Sequence, residues 1–541
     1  MPVDLVLLSA RLLDPATGAF LPECALAAAD GRIHALGDDA GIRALAGAGT
    51  TVVDLKGAVV TPGLVDGHLH PVHGAELTRG LDLSGCTDLG TLRETLSREA
   101  RRLTPGEWLH GWGLDPNVFG DGPVEAAPLA PVLDGVPALL QMFDAHSMLA
   151  SPRALELAGI DGPRTFDQAA EVVCDPEGRP TGLLLESAAC HLVERAAPQP
   201  TRAGRRDRLA TVLRGMAASG LTGGHVMDGE GLDLLAELDA AGELPLRLRV
   251  APWCQPGTDA DALHELIRQQ HTGGRLWQVA GVKLFMDGTV DNGTAWLERP
   301  DCHGGSTHAF WPDPADYSRI IAELHRAGVP TATHAIGDAA VRHVLDSVEK
   351  ALAARPGAAA APRHRVEHIE TVPDDTLGRF AWLGVVASMQ PTHCCDFTRA
   401  DHTDNWSRRL GEERAARAWR CRDLWDSGAL VVLGSDWPVA DHRPLTVMAG
   451  ARHRRPTRDL SRPPHGLGQA LTALEALQGM TVNPALATGD GHHAGRLAVG
   501  HRADLTVLAD DPLTTPATEL AELPVLLTVL DGRPTHRDPA L

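Results

Sequence analysis

Between residues 61 and 436 the chain repeats one rhythm: a short apolar run ending in a polar residue, then a stretch whose apolar positions recur every three or four residues. The runs are TPGLVDGHLH (61–70), LTGGHVMD (221–228), LRLRVAPW (246–253), VAGVKLFMD (279–287), PTATHAI (330–336), RHRVEHI (363–369), GVVASMQ (384–390) and LVVLGSD (430–436). Their length and apolar content read as buried strands, whereas DYSRIIAELHRAG (316–328) and DAAVRHVLDSVEKALAA (338–354) read as amphipathic helices. Eight strand–helix units predict an α/β fold, a (β/α)8 TIM barrel, with chemistry at the C-terminal ends of the strands.

The two ends of the chain have another texture. DLVLLSARLL, CALAAADGRIHALG with a turn at Asp30-Gly31, and TTVVDLKGAVV are short strands between Gly, Pro and Asp turns, and HRADLTVLADDP and LPVLLTVLDGRPTH repeat the pattern near the other terminus. Each end is too small for a sound core, so residues 1–61 and 486–541 are expected to combine into one small β-sandwich. The barrel then takes residues 62–74 and 206–485. Residues 75–205 are too many for one helix and are expected to form an inserted subdomain near the barrel mouth. The Ala-rich run PGAAAAP (356–362) reads as a loop.

Composition narrows the partners. With 541 residues, 43% apolar, the chain has ample material for a core. Its 49 basic and 70 acidic side chains give a net charge of −21, the wrong sign for nucleic acid or an anionic membrane. The start, MPVDLVLLSARLLD, has no basic segment and no apolar stretch able to span a bilayer, so a cytoplasmic location is expected. Nine scattered cysteines without CxxC spacing predict reduced thiols and no disulfide framework.

The polar residues that end the eight strands are His68, His70, Asp228, Trp253, Lys283, Asp287, His334, His368, Gln390 and Asp436. Such groups are costly on apolar strands unless paired or bound, and a divalent metal centre accounts for most of them together. His68 and His70 flank Leu69, so on a strand both rings face one side and can share a metal. In a chain with 26 histidines one such triplet is expected about once by chance, so the spacing alone leaves both readings open. Lys283 is more telling. Only three of the 49 basic residues are lysines, and this one sits between Val282 and Leu284. Burial there favours the neutral amine, which can add CO2 to become a carbamate ligand, as arginine cannot. The alternative is an ordinary ion pair, for example with Asp287. Lys56 and Lys350 read as solvated.

In order along the chain, PGLVDGHLH, GVKLFMDG, THAIGD, RVEHIE, SMQPTH, GSDWPV and VGHRADLTVL resemble the metal-dependent amidohydrolase superfamily, in the YtcJ-like branch that includes N-substituted formamide deformylases. The resemblance spans roughly residues 1–535. It implies a TIM barrel with a flanking β-sandwich and hydrolysis of C–N bonds other than peptide bonds, in a small amide-like or N-formyl substrate. It further implies two divalent metal ions, with zinc the first candidate, held by His68, His70, carboxylated Lys283, His334, His368 and Asp436. Metal-activated hydroxide would attack the carbonyl, with Asp436 the catalytic proton shuttle. Glu367 would support the ligands or pack within the barrel, His364 lies at the wrong end of its strand, and His73 falls in a loop. Candidate substrate-binding residues are Trp112, Asp144, His146, Asp287, Gln390 and His393. Asp144 and His146 stand where relatives carry Asp-Gly-His, with Ala145 in place of the glycine. Gly293 replaces an arginine that some relatives carry before Thr294. Deamination or lactone or ester hydrolysis on the same centre is the alternative. A non-catalytic scaffold is disfavoured because all six candidate ligands are kept. Homo-oligomerisation is left open.

Overall fold

The computed structural model describes residues 3–167, 170–354 and 362–541. Most of the Ala-rich run lies outside them. Nine strands in two parallel sheets make the central layer. One sheet has the order Trp277–Val279, Arg247–Val250, Leu221–Val226, Leu64–Leu69, and the other Val282–Phe285, Thr331–Ala335, Arg365–His368, Val386–Met389, Val431–Leu433. The expected fourth strand is therefore split between the sheets. Gly281 causes the break: its φ of 134° suits glycine alone, and a Cβ there would press on the Pro330 carbonyl at 3.1 Å.

Hydrogen bonds join the sheets at both edges. Lys283 N donates to Pro252 O (2.9 Å) and Cys254 N to Lys283 O (2.8 Å). On the other side Asp436 N donates to His68 O (2.7 Å) and His70 N to Trp437 O (2.9 Å). The second junction needs Gly434, where a Cβ would meet His68 N at 2.6 Å. The intervening helices bury one stripe each: Tyr317, Ile320, Ile321 and Leu324 from Pro314–Arg326, and Val341, Val344, Leu345 and Val348 from Asp338–Ala353. The first of these is started by Asp313, whose carboxylate accepts from Ala315 N.

Both chain ends share a sheet, in which Val59–Pro62 pairs antiparallel with Leu505–Leu508. A second, four-stranded sheet carries Leu5–Leu8 beside Ala25–Ala29 and Thr51–Asp54. Asp30 and Gly31 turn the hairpin with φ of 50° and 72°, the pair of positive angles that a tight hairpin requires. Leu5, Leu12, Val60, Leu505 and Val529 pack between these sheets. Between the first two parallel strands, residues 81–185 build a six-stranded mixed sheet with apolar clusters of its own. His73 is in the helix Pro71–Leu77 and not in a loop, because Pro71 starts the helix directly after His70. Among the described residues no helix is long and apolar enough to cross a membrane.

Candidate active site

The C-terminal ends of the parallel strands bring His68, His70, His368 and Asp436 together. Asp436 Oδ1 lies 3.3 Å from His68 Nε2 and 3.2 Å from His70 Nε2, and its Oδ2 lies 3.8 Å from His368 Nδ1. Alternation along Leu64–Leu69 brings the first two rings to the same side, with 3.3 Å between their Nε2 atoms. Each is braced from behind. His68 Nδ1 donates to Glu367 Oε2 (2.6 Å), and His70 Nδ1 to Asp228 Oδ1 (3.2 Å). Glu367 is gripped in turn by Arg365, whose Nε donates to Oε1 at 2.5 Å. Burial opposes ionisation of Glu367, but Arg365 and His68 hold its carboxyl well below the usual carboxylate range. Burial also works against charge on His70, yet Asp228 and Asp436 hold its pKa up at about 8. Both His368 (φ 76°) and Asp436 (φ 59°) have left-handed backbone, each a local cost of about 1–3 kcal/mol that the surrounding bonds hold in place.

The facing wall is different. His368 Nδ1 and His393 Nε2 are closed off from solvent with no hydrogen-bond partner. Burial keeps both rings neutral, with pKa values below the usual histidine value. Neutral imidazoles with open lone pairs are what a metal ion requires. Two groups of donor atoms could hold an ion, His68–His70–Asp436 and His368–His393–Asp436, each within 4.8 Å of one another. His393, expected at the substrate, thus stands among the donors, 3.7 Å from Asp436 Oδ2. His334 belongs to neither group, since its Nε2 sits 3.0 Å from the Gly288 carbonyl, although its ring packs 4.5 Å from that of His368.

Lys283 is fully buried, with Nζ 5.0 Å from the centre of the Phe285 ring. Among the described residues no carboxylate comes within 4.0 Å of it, so the ion pair with Asp287 does not form. Burial brings its pKa down to about 8, against the pull of Glu367 and Asp436. Asp287, expected at the substrate, is engaged with backbone. Its strand ends at Phe285, and its carboxylate accepts from Trp296 N (2.8 Å), Ile336 N (3.0 Å) and Gly337 N (2.8 Å), with Oδ1 3.8 Å from His334 Nε2.

A cavity of about 430 Å3 opens over Asp436, with His146, Asp144, His334, His368 and His393 on its wall. Asp144 and His146 come from the inserted segment. His146 Nδ1 donates to Glu186 Oε2 (2.8 Å), and Asp144 accepts from His146 N, Ser147, Thr289 and Asn292. Two other expected substrate groups are not brought to this wall. Trp112 lies on Leu109–Leu114 within the inserted sheet, and buried Gln390 precedes the helix Pro391–Phe397 with its Nε2 3.4 Å from Ser388 Oγ. Residues that the sequence did not single out complete the wall: Phe143, Asp291, Glu370, Phe397, Trp406 and Trp419. No local pattern marks them, since they come from loops and short helices far apart in the chain.

The amidohydrolase family profile matches residues 51–536. The chain belongs to the amidohydrolase family. As an amidohydrolase it is a hydrolase acting on carbon–nitrogen bonds, of a metal-dependent superfamily. It is 28% identical to the putative amidohydrolase YtcJ of Bacillus subtilis, over 90% of each chain. It is 29% identical to the N-substituted formamide deformylase of Arthrobacter pascens, over 93% of each. An uncharacterized metal-dependent hydrolase from Pyrococcus horikoshii shares the fold of this amidohydrolase, with a TM-score of 0.71 at 23% identity, over 95% of this chain and 99% of that one.

Proposed function

We propose that this amidohydrolase cleaves an amide or N-formyl bond of a small non-peptide molecule in the cavity over Asp436. The observation that carries this reading is the junction at Asp436, whose two oxygens stand 3.2–3.8 Å from four imidazoles in two groups able to hold metal. We read the two parallel sheets as one closed (β/α)8 barrel, flanked by a sandwich of residues 1–61 and 486–541, with residues 75–205 inserted by its mouth. His68 and His70 would hold one divalent ion and His334 and His368 a second, with Lys283 between them and zinc the first candidate. His393 joins these candidates on its geometry. When bound, such ions polarise a carbonyl oxygen and acidify water.

The chain's own groups then have defined tasks. Asp436 accepts the proton released at the junction and returns it to the departing nitrogen. Glu367 and Asp228 fix the rings of His68 and His70 through their Nδ1 atoms, leaving each Nε2 as the donor. Lys283, buried and without a carboxylate partner, adds its amine lone pair to CO2 and loses a proton, which leaves an anionic oxygen donor in place of a cation. His146, tethered to Glu186, and Asp144 position the substrate. Nine unpaired cysteines fit a reducing, cytoplasmic setting.

The test is a substrate screen on protein purified without chelator, covering N-formyl and N-acyl amines, hydantoins, aminated heterocycles, lactones and esters. Turnover of amide-type compounds is expected. Turnover confined to lactones, esters or deamination would overturn the assignment of the bond.

A further inference from the structure

The cavity wall carries more carboxyl groups than the metal-competent groups use, and burial raises the pKa of two of them, Asp291 to about 8 and Glu370 above the usual carboxylate range. Asp144 is spent on four donors, and His146 is matched by Glu186. Asp291 and Glu370 are not spent. Asn405 Nδ2 donates to Asp291 Oδ1 (2.9 Å), and Trp406 Nε1 donates to Glu370 Oε2 (2.7 Å). Among the described residues nothing donates to the remaining oxygen of either carboxylate, and neither oxygen is among the buried unpartnered atoms that are closed off. Both are therefore reachable from the cavity, although Glu370 is only 7% exposed. Among the described residues that line the cavity there is no lysine or arginine to neutralise them. Both stand outside the two groups able to hold metal.

Aromatic rings flank this acidic stretch. The Trp406 and Trp419 rings are 4.6 Å apart, and Phe143 and Phe397 are 3.8 Å apart. A neutral apolar ligand would strip water from two polar carboxyl oxygens and give nothing back, whereas a cation lets the same groups ionise against a partner. A nitrogen cation supplies charge and several N–H donors to the oxygens.

We propose that the cavity selects substrates bearing a cationic nitrogen group, an alkylammonium or amidinium remote from the scissile bond, held by Asp291 and Glu370. This rests on the amide-hydrolase reading above. The test compares N-(5-aminopentyl)formamide with the near-isosteric N-hexylformamide on the metal-loaded full chain. The ammonium compound is expected to have the higher kcat/KM by about 30-fold or more, the scale of one buried charge pair. In the Asp291→Asn, Glu370→Gln double variant that ratio is expected to fall to within about threefold. Equal or better turnover of the hexyl compound by the unsubstituted protein overturns the proposal, and this arm needs no variant. If neither amide is cleaved, the hydrolase reading fails on its own, and calorimetry decides the cation question: pentylammonium binding more tightly than pentanol supports it, and equal or weaker binding overturns it.

Discussion

The two sides of the Asp436 junction are built on opposite terms. On one side His68 and His70 each spend a ring nitrogen on a carboxylate, and Glu367 is itself held by Arg365 and fully buried. On the other side His368 and His393 present buried ring nitrogens that bond to nothing. A buried polar atom without a partner costs about 1–3 kcal/mol, a cost that a bound ion would offset. The contrast separates a braced pair from a pair whose ring nitrogens are open to a metal ion.

The largest effect is expected at Lys283. Lys283→Ala should lose nearly all activity and bind metal poorly, with formate or propionate partly restoring both by filling the vacated space. Lys283→Arg keeps the charge but cannot be carboxylated, so it should remain inactive. An active Lys283→Arg protein would make the residue an ordinary cation and redraw the site as a single-metal centre. Next, Asp436→Asn should lower kcat by roughly two to four orders of magnitude, the usual scale for an acid–base group, with metal still bound. Near-normal turnover would pass the proton role to Asp228 or His393.

Two substitutions sharpen the comparison itself. Glu367→Gln should weaken metal binding by about 10–100-fold, the effect of removing a partner that orients a ligand. It should also destabilise the metal-free protein by about 3–5 kcal/mol, because Arg365 would keep a buried charge without its carboxylate. His393→Ala should instead leave the melting temperature of chelator-treated protein nearly unchanged while reducing metal content. Equal destabilisation by both would erase the distinction between the walls.

These differences track what the sequence could convey. The strands were legible because apolar runs of the right length end in polar residues, and Lys283 stood out because the chain otherwise prefers arginine. Glu367 and Asp228 were singled out, but the ring each one braces was not legible, since Glu367 is 299 residues from His68 and Asp228 is 158 from His70, and no local pattern links them. The bonding of Asp287 was illegible for a related reason. This residue continues the alternation of a strand that has already ended at Phe285, and its carboxylate turns to three backbone N–H groups instead. His393 lies in a helix after the seventh apolar run, where strand-end logic does not reach. The smallest effect follows from the same lesson: Trp112→Phe should change kcat/KM by no more than about twofold, as for a substitution away from the site.

The central claim is that both sides of the junction hold metal and that this drives hydrolysis. Elemental analysis of protein purified without chelator, with amide hydrolysis assayed on the same sample, tests it most directly. Two divalent ions per chain are expected, with activity falling as chelation removes them and returning on re-addition. Full activity with less than half an equivalent of metal would contradict the account.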